Sequence, residues 1–171
     1  MGLVRGMARQ GRPGDGAANP VAGPYFNFSV PEPTGVVVAL APADSSLLGL
    51  VSVLAPAIVT GNTAVLVASE PRPLPAVTLA EVLATSDIPP GVVNVLTGRL
   101  AELASVAASH RDVNALDLTG APKGDRAALE RAAAGNLKRV YHGDDQWDES
   151  PGTRRLLASV EIKTVWHPVG I

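Results

Sequence analysis

The sequence predicts an α/β fold in which helices cover both faces of a parallel sheet, with a small arm of two strands beside it. Three observations predict this. Apolar runs and amphipathic stretches alternate from residue 36 to residue 141. The runs Val36–Leu40 and Ala64–Val67 are continuous rather than alternating, the pattern of strands covered on both faces. Two further apolar strands, Tyr25–Val30 and Leu156–Val165, fall outside that alternation and need a pairing partner.

Taken in order, residues 1–24 are rich in Gly, Pro and Ala, show no periodicity and read as a flexible tail. In Tyr25–Val30, Phe26, Phe28 and Val30 alternate, so one face is buried, and Pro31 and Pro33 should end the strand. After Val36–Leu40, Ala43-Asp44-Ser45-Ser46 supplies capping groups for a helix over Leu47–Thr60. That helix is apolar almost all round and should be buried, with Pro56 bending it and Gly61-Asn62 closing it.

Ala64–Val67 follows as a strand. Pro71–Pro75 turns into a helix with Val77, Ala80, Leu83 and Ala84 on its apolar face, stopped by Asp87-Ile88-Pro89-Pro90-Gly91. Val92–Leu96 is the third strand. Leu100, Leu103, Ala104 and Ala107 mark the next helix, and Val113–Leu118 is the fourth strand. Pro122 suits a first helical turn, Ala128, Leu129, Ala132 and Ala133 form the stripe, and Leu137–Tyr141 is the fifth strand. The polar stretch His142–Gly152 reads as a linker. The domain organisation is therefore a tail at 1–24, an α/β domain at 25–142 with an arm strand at 25–30, and a linker with the C-terminal arm strand at 143–171.

Composition narrows the function classes. The chain has 171 residues, 46% of them hydrophobic and only 4% aromatic, so the core must be built from Val, Leu, Ala and Ile. A net charge of −2 gives no basic excess for neutralising phosphates, which excludes nucleic acid as a partner. No apolar run is long enough to span a bilayer. The tail has no apolar signal core; its two early arginines leave a basic organellar presequence open, with the cytoplasm as the default compartment. The count of cysteines is zero, so disulfides, thiolate metal sites and a thiol nucleophile are excluded.

Isolated motifs have plain structural readings. The fingerprint G-x-G-x-x-G and the P-loop are absent, and Gly98 alone fits a strand-end turn. His110, His142 and His167 lack metal-ligand spacing, and Ser45 and Ser46 read as caps without an elbow motif. Asp144, Asp145, Asp148 and Glu149 read as a solvated acidic loop rather than a cation site. Lys138 and Arg139 follow a helix end, where positive charge is favoured.

The segments PTGVVVALAP, LAPAIVTGNTAVLVASE, LPAVTLAEVLATSDIPPGVVNVLTG, DVNALDLTG and AAAGNLKRV together resemble, in order and spacing, the Rossmann-like nucleotide-binding domain of aldehyde dehydrogenases. VEIKTVWHPVG is similar to that family's last strand, and Tyr25–Val30 to its oligomerisation arm. The chain looks like such an enzyme with its catalytic domain deleted and both arm strands kept.

The departures matter as much as the likeness. The family's Pro-Trp-Asn-Phe-Pro stands here as Pro42-Ala43-Asp44-Ser45-Ser46, so an oxyanion donor is replaced by Asp44, an acceptor. The cofactor-binding Lys becomes Val67, a Gly becomes Leu100, and a pyrophosphate-facing Ser becomes Ala121. The general base would align with Gly143, and the cysteine segment is missing. Glu70, Gly98 and Thr119 remain as a residual cofactor-binding set for NAD or NADP, with no catalytic residue and no metal ligand. The resemblance implies a non-catalytic subunit that associates with a full-length aldehyde dehydrogenase or with itself. The alternative it implies is a weak NAD(P)-binding module carrying the ancestry of an oxidoreductase.

Overall fold

A computed structural model describes residues 17–143, 146, 147, 149 and 153–169. Five parallel strands form the main sheet: β3 (Val36–Leu40), β4 (Thr63–Val67), β5 (Val93–Leu96), β6 (Ala115–Asp117) and β7 (Arg139–Tyr141). Their order is β5-β4-β3-β6-β7, so the chain winds outward from β3 to one edge and returns to fill the other. The connecting helices are α1 (Leu48–Val59), α2 (Leu74–Ala84), α3 (Leu100–Ser109) and α4 (Lys123–Ala134). The α/β reading with helices on both faces stands.

Strand alternation divides the core in two. Val37, Ala39 and Ala41 join Ala64 and Leu66 beneath α1 and α2. Val38 and Leu40 join Leu116, Leu118, Ala104 and Ala133 on the side of α3 and α4. Helix α1 buries Leu50, Val53, Leu54, Pro56 and Ala57, as an all-apolar helix must. Ser45 Oγ accepts the Gly49 N–H at 2.9 Å, so the capping prediction finds its atom there, although Leu47 is the helix boundary. Gly61 takes φ +92°, a left-handed turn that a side chain resists. Asn62 locks this corner: it donates to Ala57 O, Thr60 Oγ1 and Ser159 O, and accepts the Gly35 N–H.

Several expectations are corrected. Residues 156–158 are not strand: a short helix α5 (Arg154–Ala158) precedes β8 (Val160–Pro168). The cause is non-local, because Arg155 is drawn into the core beside Asp117 and turns the chain. The arm strand does not stop at Pro31. Strand β2 (Tyr25–Pro33) pairs antiparallel with β8 over its full length, and β1 (Ala17–Asn19) adds a third strand from what read as tail. Pro31 and Pro33 are tolerated because β1 covers only Asn27–Ser29, so their missing N–H groups break no ladder. The stripe on α2 is rotated: Ala76 is buried and Val77 is 41% exposed. On α4, Ala133 is buried while Ala128 and Ala132 are exposed. At its end Leu137, not Gly135 or Asn136, takes the positive φ, at 52°. Lys138 is buried with no hydrogen-bond partner for its amine, where a solvated dipole partner was expected.

Candidate functional site

Open α/β sheets hold ligands at the carboxyl ends of their strands, where the strand order reverses. In this sheet that crevice lies between β3 and β6. The structure brings together two of the three residues singled out in the sequence. Glu70 follows β4 and Gly98 follows the neighbouring β5, and both are exposed. Glu70 Oε2 accepts the backbone N–H of Leu100 at 2.8 Å, so its carboxylate sits at the amino end of α3, where negative charge is favoured. Gly98 has φ +156°, and a side-chain carbon there would stand 3.2 Å from Leu103 Cδ1.

Thr119 is elsewhere, beyond β6 on the far side of β3. It belongs to a polar cluster that the sequence did not announce. Asp117 ends β6 facing α1, and Arg155 reaches it from α5 as a buried ion pair. Thr119 Oγ1 donates to Asp117 Oδ1 at 2.5 Å, and its backbone N–H donates to the same oxygen at 3.0 Å. The hydroxyl also accepts from Arg155 Nη1 and Nη2, both at 3.2 Å, and from the Gly143 N–H at 3.4 Å. One donor and two lone pairs are thereby all engaged. The Arg155 guanidinium lies 4.7 Å from the Tyr141 ring centroid. Burial pushes the Asp117 carboxyl above its ordinary value; the Arg155 charge and the Thr119 hydrogen bonds pull against that. A cavity of about 20 Å³ beside Asp117, Tyr141 and Ser159 has room for a single water.

Past β7, Gly143 and Trp147 touch the segments that leave β6 and β3. Trp147 packs against the core under α1, and its Nε1–H donates to Asp44 Oδ2 at 3.4 Å. The indole lies close to Gly49, where a side-chain carbon would stand 3.3 Å from Trp147 Cε2. So Asp44 and Gly143, the positions of the resemblance's oxyanion donor and general base, are both occupied in contacts within the chain.

For a dinucleotide the fit is partial. Glu70 and Gly98 offer exposed groups, but Val67 and Ala121 are buried apolar residues and Thr119 has no free hydrogen-bonding capacity. The set as a whole does not fit a tightly held dinucleotide. Among the described residues there is no group of three or more His, Asp or Glu that could hold a metal ion. Asp144, Asp145 and Asp148 of the acidic loop lie outside the described residues. No helix among the described residues is long and apolar enough to cross a membrane.

Asp117 and Arg155 were the residues missed. The available signal was an acidic residue inside an apolar strand, which needs a buried counter-charge. Its partner Arg155 stands 38 residues away, between the linker read at His142–Gly152 and the strand read at Leu156–Val165.

Known proteins agree with this architecture. The sequence model of the aldehyde dehydrogenase family matches residues 1–142. Mitochondrial aldehyde dehydrogenase of Sus scrofa is 36% identical over 125 residues, which is 73% of this chain and 24% of that protein. Retinal dehydrogenase 2 of Mus musculus is 36% identical over the same share of this chain. Betaine aldehyde dehydrogenase of Staphylococcus aureus, solved in complex with NAD+, superposes with a TM-score of 0.73 and 26% identity, over 81% of this chain and 27% of that one. PnpE of Pseudomonas sp. WBC-3 gives 0.71 and 29%, over 81% and 28%. The chain thus spans about a quarter of the length of the relatives it matches. In sequence over most of its length, and in fold, this chain belongs to the aldehyde dehydrogenase family.

Proposed function

We propose that this chain acts by association, as a structural or regulatory aldehyde dehydrogenase-like subunit, with a full-length aldehyde dehydrogenase or with a copy of itself. The observation that carries this is the arm. Its β2–β8 ribbon keeps Tyr25 at 47%, Phe26 at 52%, Ile162 at 56% and Trp166 at 58% exposed, on both of its faces. Surface of that kind, on a sheet with an open edge, is the mark of an interaction site. The 171 residues contain no cysteine, so thiol chemistry has no nucleophile within them. The test is native mass spectrometry and gel filtration of the chain alone and with a full-length aldehyde dehydrogenase. Ile162→Asp, at an exposed position, should abolish the complex while the circular dichroism stays unchanged. A complex indifferent to Ile162→Asp, or no complex of either kind, overturns the reading.

A second reading, a weak NAD(P)-binding module, is favoured by one observation: Glu70 and Gly98 lie exposed on adjacent strand ends. The Staphylococcus aureus relative was solved with NAD+. Calorimetry with NAD and NADP decides it. Heat that vanishes in Glu70→Ala supports a pose on Glu70, and heat that persists there removes it.

A further inference from the structure

We propose that the partner is a second copy of this chain, joined by antiparallel pairing of β8 with β8 about a two-fold axis through Thr164. This rests on the association reading above and commits it to one occupant and one register.

The peptide groups say which residues are available. Thr34 N donates to Ser159 O at 3.3 Å and Val169 N donates to Pro24 O at 2.8 Å. Both bonds fall on the register that pairs Tyr25 with Pro168 and Pro33 with Val160. Hydrogen-bonded pairs recur every second residue in an antiparallel ladder. The odd-numbered residues of β8 therefore turn their N–H and C=O toward β2. Val160, Ile162, Thr164 and Trp166 turn theirs outward, and among the described residues β8 is an edge strand of its sheet.

The side chains select the register. An axis through Thr164 overlaps the whole nine-residue strand with itself. It sets Ile162 against Trp166 of the other copy, two side chains that are 56% and 58% exposed in the single chain. It sets Glu161 against His167, a carboxylate against an imidazole, and Thr164 against itself. A slip by one position in either direction is unfavourable. Either slip separates Ile162 from Trp166, and an axis at Lys163 also opposes that lysine to its own copy, where like charges directly across a ladder repel. An axis at Ile162 shortens the overlap and leaves Trp166 uncovered. Registers of opposite parity set outward peptide groups against inward ones and form no ladder.

The chain has no cysteine, so introduced thiols report on the seam without background. In Thr164→Cys the two thiols face each other across the axis with Cα atoms about 5.5 Å apart, a spacing a disulfide accepts. Mild oxidation should convert Thr164→Cys to a disulfide dimer on a non-reducing gel and leave Lys163→Cys, Ile162→Cys and Trp166→Cys monomeric. A mixture of Ile162→Cys with Trp166→Cys should cross-link. Thr164→Pro, which removes an outward N–H and no backbone bond to β2, should shift the native mass from dimer to monomer with unchanged circular dichroism, while Thr164→Val, which loses only the hydroxyl contact with Ser29, should stay dimeric. If the wild-type chain is dimeric but Thr164→Cys stays reduced, or Lys163→Cys links as readily, this seam is wrong while association stands. If the chain alone is monomeric and binds a full-length aldehyde dehydrogenase, self-pairing falls and association stands. If it binds neither, both fall.

Discussion

Removing Arg155 tests whether the buried cluster holds the end of the chain against the sheet. Arg155 and Asp117 have side chains only 5% and 8% exposed, so neither charge has water to turn to. In Arg155→Met, Asp117 keeps Thr119 but loses its counter-charge, and breaking one half of a buried pair costs about 3–5 kcal/mol. With a urea dependence of about 2 kcal/mol per molar, the unfolding midpoint should fall by roughly 2 M. The surroundings include Val53, Ala57 and Ala115, so the double variant Asp117→Leu/Arg155→Met replaces the pair with groups that suit them. It should recover most of the loss, since apolar replacement of a buried pair is often neutral or better. Urea titration of the wild type, both single variants and the double variant gives the coupling energy directly. A loss below about 1 kcal/mol for Arg155→Met, or a double variant no better than the worse single one, refutes the reasoning.

Three further outcomes follow from the geometry. The Asp117 carboxyl is raised, so between the ordinary carboxylate value and its own the native state binds more protons than the unfolded one, and stability falls as pH rises through that window. Thermal melts should show the wild type gaining on Asp117→Asn as pH drops toward 4; the opposite trend would mean Arg155 holds the carboxyl down instead. Asn62→Ala removes hydrogen bonds to Ala57, Thr60, Ser159 and Gly35. At about 1 kcal/mol each the melting point should fall by roughly 10 °C, and a fall under about 2 °C would contradict that. Gly120→Ala would put a carbon 2.4 Å from Ala41 O and 2.5 Å from Leu40 O, so it should cost at least ~3 kcal/mol by urea unfolding. Gly124→Ala meets nothing within 4 Å and should stabilise α4 by up to ~1 kcal/mol; equal effects would show that close approach is not what Gly120 provides.

What the sequence disclosed depended on how local the cause was. Val36–Leu40 and Ala64–Val67 were legible because a strand covered on both faces is apolar whatever its register. Of the stripe read on α4, Leu129 and Ala133 pack inward and Ala128 and Ala132 do not, because the alanines differ in burial but not in chemistry. Pro31 and Pro33 read as stops because a sequence does not say which edge of a ribbon is left open. At the crevice, Glu70 and Gly98 sit together because adjacent strands carry them. The engagement of Thr119 depends on Arg155, 36 residues along the chain, and no local pattern encodes it. Leu156 looked like strand for the same reason.

The two prolines of β2 have a consequence for how far any assembly can grow. Their nitrogens point away from β8, along the flank that β1 covers only at Asn27–Ser29. A neighbour approaching that flank meets two positions with nothing to donate. Were copies to join through β8, as proposed above, the proline stretch of the opposite flank would give a further strand no N–H at Pro31 or Pro33 to pair with. Two residues that on first reading merely end a strand thus blunt the stretch of β2 that β1 leaves uncovered against the addition of another strand.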